Sequence, residues 1–195
     1  MEDTYKTITK KIGEGFYSEK RSKFLAFAHH VETVDEVKEI VQKYKKKYYD
    51  ARHVCYAYML GAECCKYKAN DDGEPSSTAG KPILGQILSN ELTNILIVVI
   101  RYYGGVNLGT GGLIVAYRTA AADCIEHCEI NECFVEEEVR FSFPYVMMNG
   151  VMKIVKTMEP KIVSQEYDNT CTIVLSIRKS KAEELRNKLN GLSFS

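Results

Sequence analysis

The run Ile95-Leu-Ile-Val-Val-Ile100 constrains this chain more than any other feature. A continuous apolar stretch rich in β-branched residues reads as a strand covered on both faces, and so as the heart of a sheet. Directly after it come Arg101-Tyr-Tyr-Gly-Gly-Val-Asn-Leu-Gly-Thr-Gly-Gly112 and a helical stretch from Leu113 to Cys128. Ala116, Tyr117, Ala120, Ala121 and Cys124 share one face of that helix. Strand, glycine-rich loop and helix are consecutive, an order that sets a row of backbone N–H groups at the positive end of a helix and offers a cradle for an anion.

The rest of the chain supplies the partners such a strand needs. Phe16 to Val31, around the basic turn Lys20-Arg21-Ser22-Lys23, predicts a hairpin or one bent strand. Thr33-x-x-Glu36 is a capping box, and Val34, Val37, Ile40, Val41, Tyr44 and Tyr48 continue at helical spacing into Lys45-Lys46-Lys47. Arg52 to Leu60 alternates with period two, placing His53, Cys55, Ala57 and Met59 on one face, with Glu63 to Lys68 as a hairpin partner. Ile83 to Leu88 reads as a helix. Residues 119–138 carry seven acidic side chains and no Lys or Arg, and a boundary near Phe134 divides the chain into domains 1–133 and 134–195. The second domain reads βαββα, with Ser180-x-x-Glu183 capping its last helix, a ferredoxin-like order whose final strand is left to Leu192-Ser-Phe-Ser195, short or truncated.

Composition narrows the function classes. Lys+Arg and Asp+Glu number 26 each, so no whole-molecule field draws the chain to DNA or a membrane surface, and any anion site is local. No run approaches the roughly 18 apolar residues of a membrane span, and Met1-Glu2-Asp3 does not open a signal peptide, so a cytoplasmic protein is expected. Seven cysteines, two of them adjacent, form no disulfide framework. Cys124, His127, Cys128 and Cys133 have the nearest thing to metal-ligand spacing, but they sit in an apolar helix and read as core thiols; neither metal nor cofactor is expected.

Three segments have the polarity of a site: Arg52-His53; the turn-rich Asp72-Gly-Glu-Pro-Ser-Ser-Thr-Ala-Gly-Lys-Pro82; and the loop Arg101 to Gly112. Gly104, Gly105, Gly109, Gly111 and Gly112 allow close approach to a phosphate, Arg101 and Arg118 offer guanidinium groups, Lys81 a point charge, and Tyr102 and Tyr103 stacking surfaces. Residues 43–118 hold ten basic against six acidic side chains, so the local balance is positive. The loop matches neither the dinucleotide fingerprint nor the P-loop. Asp72 and Glu74 admit a competing reading as acid and base or metal holders in a phosphoester- or nucleotide-handling enzyme. Two carboxylates in a turn serve equally well as turn and capping groups. Ser76 or Ser77 with His53 would need the fold to join them, and no nucleophile elbow surrounds the serines. No catalytic residue is assigned.

The blocks Ala51-Arg-His-Val-Cys-Tyr-Ala-Tyr58, Asp72 to Pro82 and Val99-Ile-Arg-Tyr-Tyr-Gly-Gly-Val-Asn-Leu-Gly-Thr-Gly-Gly-Leu113 closely resemble the signature of the Impact/YigZ family. The resemblance implies an α+β chain. Its first domain would be an α/β sandwich like a small-subunit ribosomal protein's second domain and domain IV of elongation factor G, and its second a ferredoxin-like domain similar to that factor's domain V. It implies regulation of translation for eukaryotic relatives, through competition for a partner of the kinase that senses amino-acid starvation. For this chain it implies binding to RNA or to a ribosome- or translation-associated protein. The family blocks map onto Arg52, His53, Asp72, Gly73, Glu74, Ser76, Thr78, Gly80, Lys81, Arg101, Tyr102, Gly104, Gly105, Gly109, Gly111 and Gly112. With Arg118, and without Gly80, these are the expected anion or nucleic-acid contacts.

Overall fold

The computed structural model describes residues 3–192. They form two compact units, Tyr5–Cys133 and the chain from Phe134 onward, with Asp3 and Thr4 belonging to the latter.

In chain order the first part contains β1 (Thr4–Ile8), β2 (Gly13–Glu19), β3 (Ser22–His30), α1 (Val34–Lys47), β4 (His53–Leu60), β5 (Lys66–Asn70), α2 (Gly80–Ser89), β6 (Ile95–Tyr102), α3 (Gly109–Glu126) and β7 (Ile130–Phe134). Five strands make one sheet in the order β2-β3-β6-β4-β5, every neighbour antiparallel. The apolar run is the middle strand, and all of Ile95 to Ile100 is shielded from solvent. Ile95, Ile97 and Val99, with Phe24, Ala26, Cys55, Ala57 and Met59, pack in one core with α2 and α3. Leu96, Val98 and Ile100, with Val54 and Tyr58, pack with Val37, Val41 and Tyr44 of α1. Two-sided burial is what makes the run continuous rather than alternating.

Local chemistry fixes the element ends. The Thr33 hydroxyl accepts from Glu36 N at 3.2 Å, while the Glu36 carboxylate bonds Glu32 N at 2.8 Å, one residue earlier than a reciprocal capping box requires. Ala116, Ala120 and Ala121 let α3 lie close to the sheet, and at Gly15 a β-carbon would stand 2.4 Å from Cys124 N. The thiols of Cys124 and Cys128 donate to the carbonyls of Gly13 and Cys124. α3 starts at Gly109, a full turn before the expected Leu113, because packing against the sheet carries glycines that propensity alone would exclude. The pair β1 and β7 is not announced by the sequence: both are short, and β7 is largely exposed.

The second unit holds β8 (Glu136–Phe143), a 3-10 turn (Tyr145–Met147), α4 (Met148–Met158), β9 (Lys161–Tyr167), β10 (Cys171–Arg178) and α5 (Lys179–Gly191). Its antiparallel sheet has the order β8-β10-β9, over a core of Val139, Phe143, Ile173 and Leu175 with Val151, Val155, Leu185 and Leu189. The βαββα order is as expected; of the stretch 192–195 left for a final strand, Leu192 is the C-cap of α5 and residues 193–195 lie outside the described residues. The expected cap of α5 needs correction. The helix begins at Lys179, so Ser180 lies inside the first turn. The carboxylate of Asp3 takes Ser180 N at 3.2 Å and the Arg178 guanidinium at 2.6 and 2.7 Å.

These hydrogen bonds, first from Arg178 and then from Ser180, hold the Asp3 carboxyl well below the ordinary range. A depressed folded value means that the stabilisation is complete above the unfolded carboxyl's value, about pH 4, and is lost as pH falls below it. Asp3→Asn should therefore lower the thermal midpoint at neutral pH, with the gap to wild type narrowing progressively below about pH 4. A gap independent of pH in thermal denaturation would contradict this account.

Candidate functional site

Antiparallel register sets Phe24 of β3, Arg101 of β6 and His53 of β4 side by side at one end of the sheet. Alternation puts all three on the α2/α3 face. Arg101 is 5% exposed, and burying a guanidinium requires a counter-charge. Glu74 supplies it: Arg101 NH1 donates to Oε1 at 2.6 Å, and the Tyr117 hydroxyl of α3 donates to the same oxygen at 2.7 Å. Burial, with Cys55 and Glu74 alongside, pushes the Tyr117 phenol far up, which keeps it a donor. The Arg101 guanidinium lies between the rings of Phe24, at 5.7 Å, and Tyr103, at 5.5 Å.

The loop that carries Glu74 is wound on its own polar groups. Asp71 accepts from Ser77 N, Ala79 N and Gly80 N, so a carboxylate eight and nine residues upstream caps α2. Asp72 accepts from Val54 N at 2.7 Å and meets Lys45 Nζ at 3.2 Å. The carbonyl of Asp72 takes the His53 ring at Nδ1, 2.7 Å away; a carbonyl only accepts, so Nδ1 carries the proton and Nε2 is turned to Glu74 Oε2 at 3.7 Å. Cys55 is hydrogen-bonded to the Asp71 carbonyl and the Tyr117 hydroxyl, and burial pushes its thiol far up, which keeps it protonated.

Above this floor opens a cleft of about 450 Å³, lined by Arg52, His53, Gly73, Glu74 and Pro75 on one side and by Arg101, Tyr103, Asn107, Leu108, Gly109, Thr110 and Leu113 on the other. The three sequence blocks thus meet in one place. At its rim Arg52 is exposed, its guanidinium 5.4 Å from the Tyr103 ring, and Tyr103 donates to Asn107 Oδ1. The first turn of α3 contains no acidic residue, and among the described residues its N-cap, Leu108, makes no side-chain capping bond. Gly104 is pressed against the β2–β3 hairpin: a β-carbon there would lie 2.2 Å from the Arg21 carbonyl carbon, and Gly104 N donates to Ser22 Oγ at 3.3 Å.

Not every candidate residue lines the cleft. Tyr102 lies on the α1 face, bonded to Asp50, because alternation gives the cleft to 101 and 103. Lys81 and Arg118 are exposed on their helices and outside the cleft lining. Thr78 is buried, its hydroxyl bonded to the Pro75 carbonyl, and Gly105, Gly111 and Gly112 flank the lining without joining it. Ser76 is exposed, and among the described residues no serine hydroxyl bonds His53. Four contributors escape a reading of the sequence. Asp71 acts at long separation, Tyr117 sits in an apolar stripe, Asn107 looks like loop filler, and the Arg21–Ser22 tip reaches Gly104 only through the fold.

Comparison with known proteins shows the family. Residues 20–125 match the model of the Impact N-terminal domain. The chain belongs to the IMPACT family. It is 31% identical to IMPACT family member YigZ of Escherichia coli over 89% of this chain and 86% of that one. With IMPACT family member YvyE of Bacillus subtilis it shares 40% identity over 68% of this chain and 60% of that one. A crystal structure described as that of a hypothetical protein superposes with a TM-score of 0.79 at 28% identity, covering 99% of this chain and 94% of its own. Among the described residues no helix is long and apolar enough to cross a membrane.

In this IMPACT family chain the Arg101–Glu74 pair should behave as structure. Arg101→Ala, which strands a buried carboxylate, should cost about 3–5 kcal/mol in urea unfolding. Arg52→Ala, at an exposed position, should stay within about 0.5 kcal/mol of wild type. Equal midpoints for the two variants would refute the assignment.

Proposed function

We propose that the first unit is a translation-associated binding module that engages RNA, or a ribosome-associated partner, through the cleft at the start of α3 and its basic rim. The observation that carries this reading is the uncapped, acid-free first turn of α3 opening on a cleft beside exposed Arg52. Bare amides at a helix start favour negative charge, and Arg52 adds a mobile cation. Lys20 and Arg21 cap the hairpin that touches Gly104, and Lys46 and Lys47 end α1, so exposed cations are available around the same end of the sheet. Exposed Tyr103 offers a face on which a base can stack. Family membership supports a role in translation, as the resemblance implies, and a cytoplasmic setting fits that role.

A metal-dependent phosphoester chemistry at Asp72 and Glu74 finds less support. Asp72 is engaged by Lys45 and Val54 N, and Glu74 by Arg101 and Tyr117, so a divalent ion would have to displace cations already seated. The arrangement favours binding over turnover.

Filter binding to structured and single-stranded RNA across a salt series tests the reading. Affinity should fall linearly in log–log form, and Arg52→Ala should weaken binding uniformly across sequences while reducing the slope by about 1. A flat salt response, or unchanged affinity in the Arg52 variant, ends the proposal.

A further inference from the structure

The cleft floor has hydrogen-bonding capacity that the chain leaves unspent. Arg101 is 5% exposed and lines the cleft, yet its buried Nε has no hydrogen-bond partner among the described residues. Buried donors are nearly always paired, and this one, in a side chain that lines the cleft, is left unmatched by the described residues. Glu74 spends Oε1 on two donors, while its Oε2 has only His53 Nε2 for company at 3.7 Å, beyond hydrogen-bond reach. A donor, an acceptor and an imidazole nitrogen therefore meet on one floor. Tyr103, 40% exposed, lies over the Arg101 guanidinium, and Gly109 and Thr110 begin α3 at the other side.

We propose that this cleft holds one nucleoside monophosphate unit, the 5′-phosphorylated end of an RNA. The phosphate sits on the first turn of α3 with Arg52, and the base sits beside Tyr103 with its edge toward Arg101, Glu74 and His53. The inference rests on the RNA-binding reading and gives it a ligand. The charges agree: Arg101 and Glu74 cancel, leaving a neutral floor for a base, while the helix start and Arg52 remain for a doubly negative phosphate. The volume, about 450 Å³, lies within the range of small-ligand sites. A peptide's terminal carboxylate could use the helix start, but an apolar side chain would leave the polar floor unanswered, and so a base edge fits better.

Calorimetric titration of the full chain with a 5′-phosphorylated tetraribonucleotide, the same sequence with a 5′-hydroxyl, AMP, and a short peptide with a free carboxylate decides the matter. The phosphorylated end should bind about tenfold tighter than the hydroxyl end, with AMP competing. Thr110→Asp should erase that preference while the protein stays folded, since an acidic residue in the first helical turn favours the helix. Tyr103→Ala should weaken both RNAs by about tenfold through lost stacking. Equal affinity for the two ends without AMP competition, or a peptide that binds more tightly than AMP, overturns the pocket and leaves the RNA-binding surface standing. Binding of AMP with no affinity for longer RNA sustains the pocket and removes the RNA reading.

Discussion

A central strand buried on both faces must end somewhere, and here it ends in a charge. Arg101 closes the apolar run of β6 while still shielded, a position affordable only because Glu74 reaches it from another segment. The flat guanidinium suits the slot between Phe24 and Tyr103; an ammonium would fill it poorly and could not present several donors in one plane. Everything else at this end of the sheet follows from delivering Glu74 to that point. Asp71 ties the loop to the start of α2, Asp72 ties it to the start of β4, and Tyr117 of α3 locks the carboxylate from the other side.

One ion pair thus joins two of the three sequence blocks, Asp72 ties the third to them through Val54 N and the His53 ring, and the pair's neutrality shapes what the cleft can attract. With Arg101 matched, the positive character of the site rests on the backbone of α3 and on exposed Arg52. These two sources differ in kind. The helix start is fixed in direction and needs no reorganisation, while Arg52 is a long side chain leaning on Tyr103 that can follow a ligand. A chain with equal totals of acidic and basic residues can in this way carry a local positive character without an overall field.

The sequence was most legible where a single physical demand ruled a whole segment. Two-sided burial wrote β6 as an unbroken run, and although β4 is packed on both faces as well, its period of two let His53 be read onto the same face as Cys55, Ala57 and Met59. It was least legible where the partners lie far apart. Asp71 is the structural carboxylate of its loop, yet the turn composition drew attention to Asp72 and Glu74, because nothing local says which acid reaches three amides. The same holds for Asp3, which stands at the start of α5 from the opposite end of the chain. Ring chemistry was hidden too: Tyr117 sits in an alanine-rich helical stripe and looks like core, which it is, apart from one oxygen.

The glycines at the start of α3 can be separated by what each one does for the fold. Gly104 has the Arg21 backbone against it, and no side chain fits. Gly109 holds a φ of +72°, which side chains resist. Gly111 has neither reason: its φ is ordinary, and among the described residues nothing beyond its chain neighbours and its own helix's backbone lies within 4 Å of where its β-carbon would be. Alanine there would strengthen the helix by about 1 kcal/mol and touch nothing. Gly111 thus gives up helix stability without gaining packing or conformation, and it keeps a bare stretch of backbone next to the cleft, the kind of surface the proposed anion site would use.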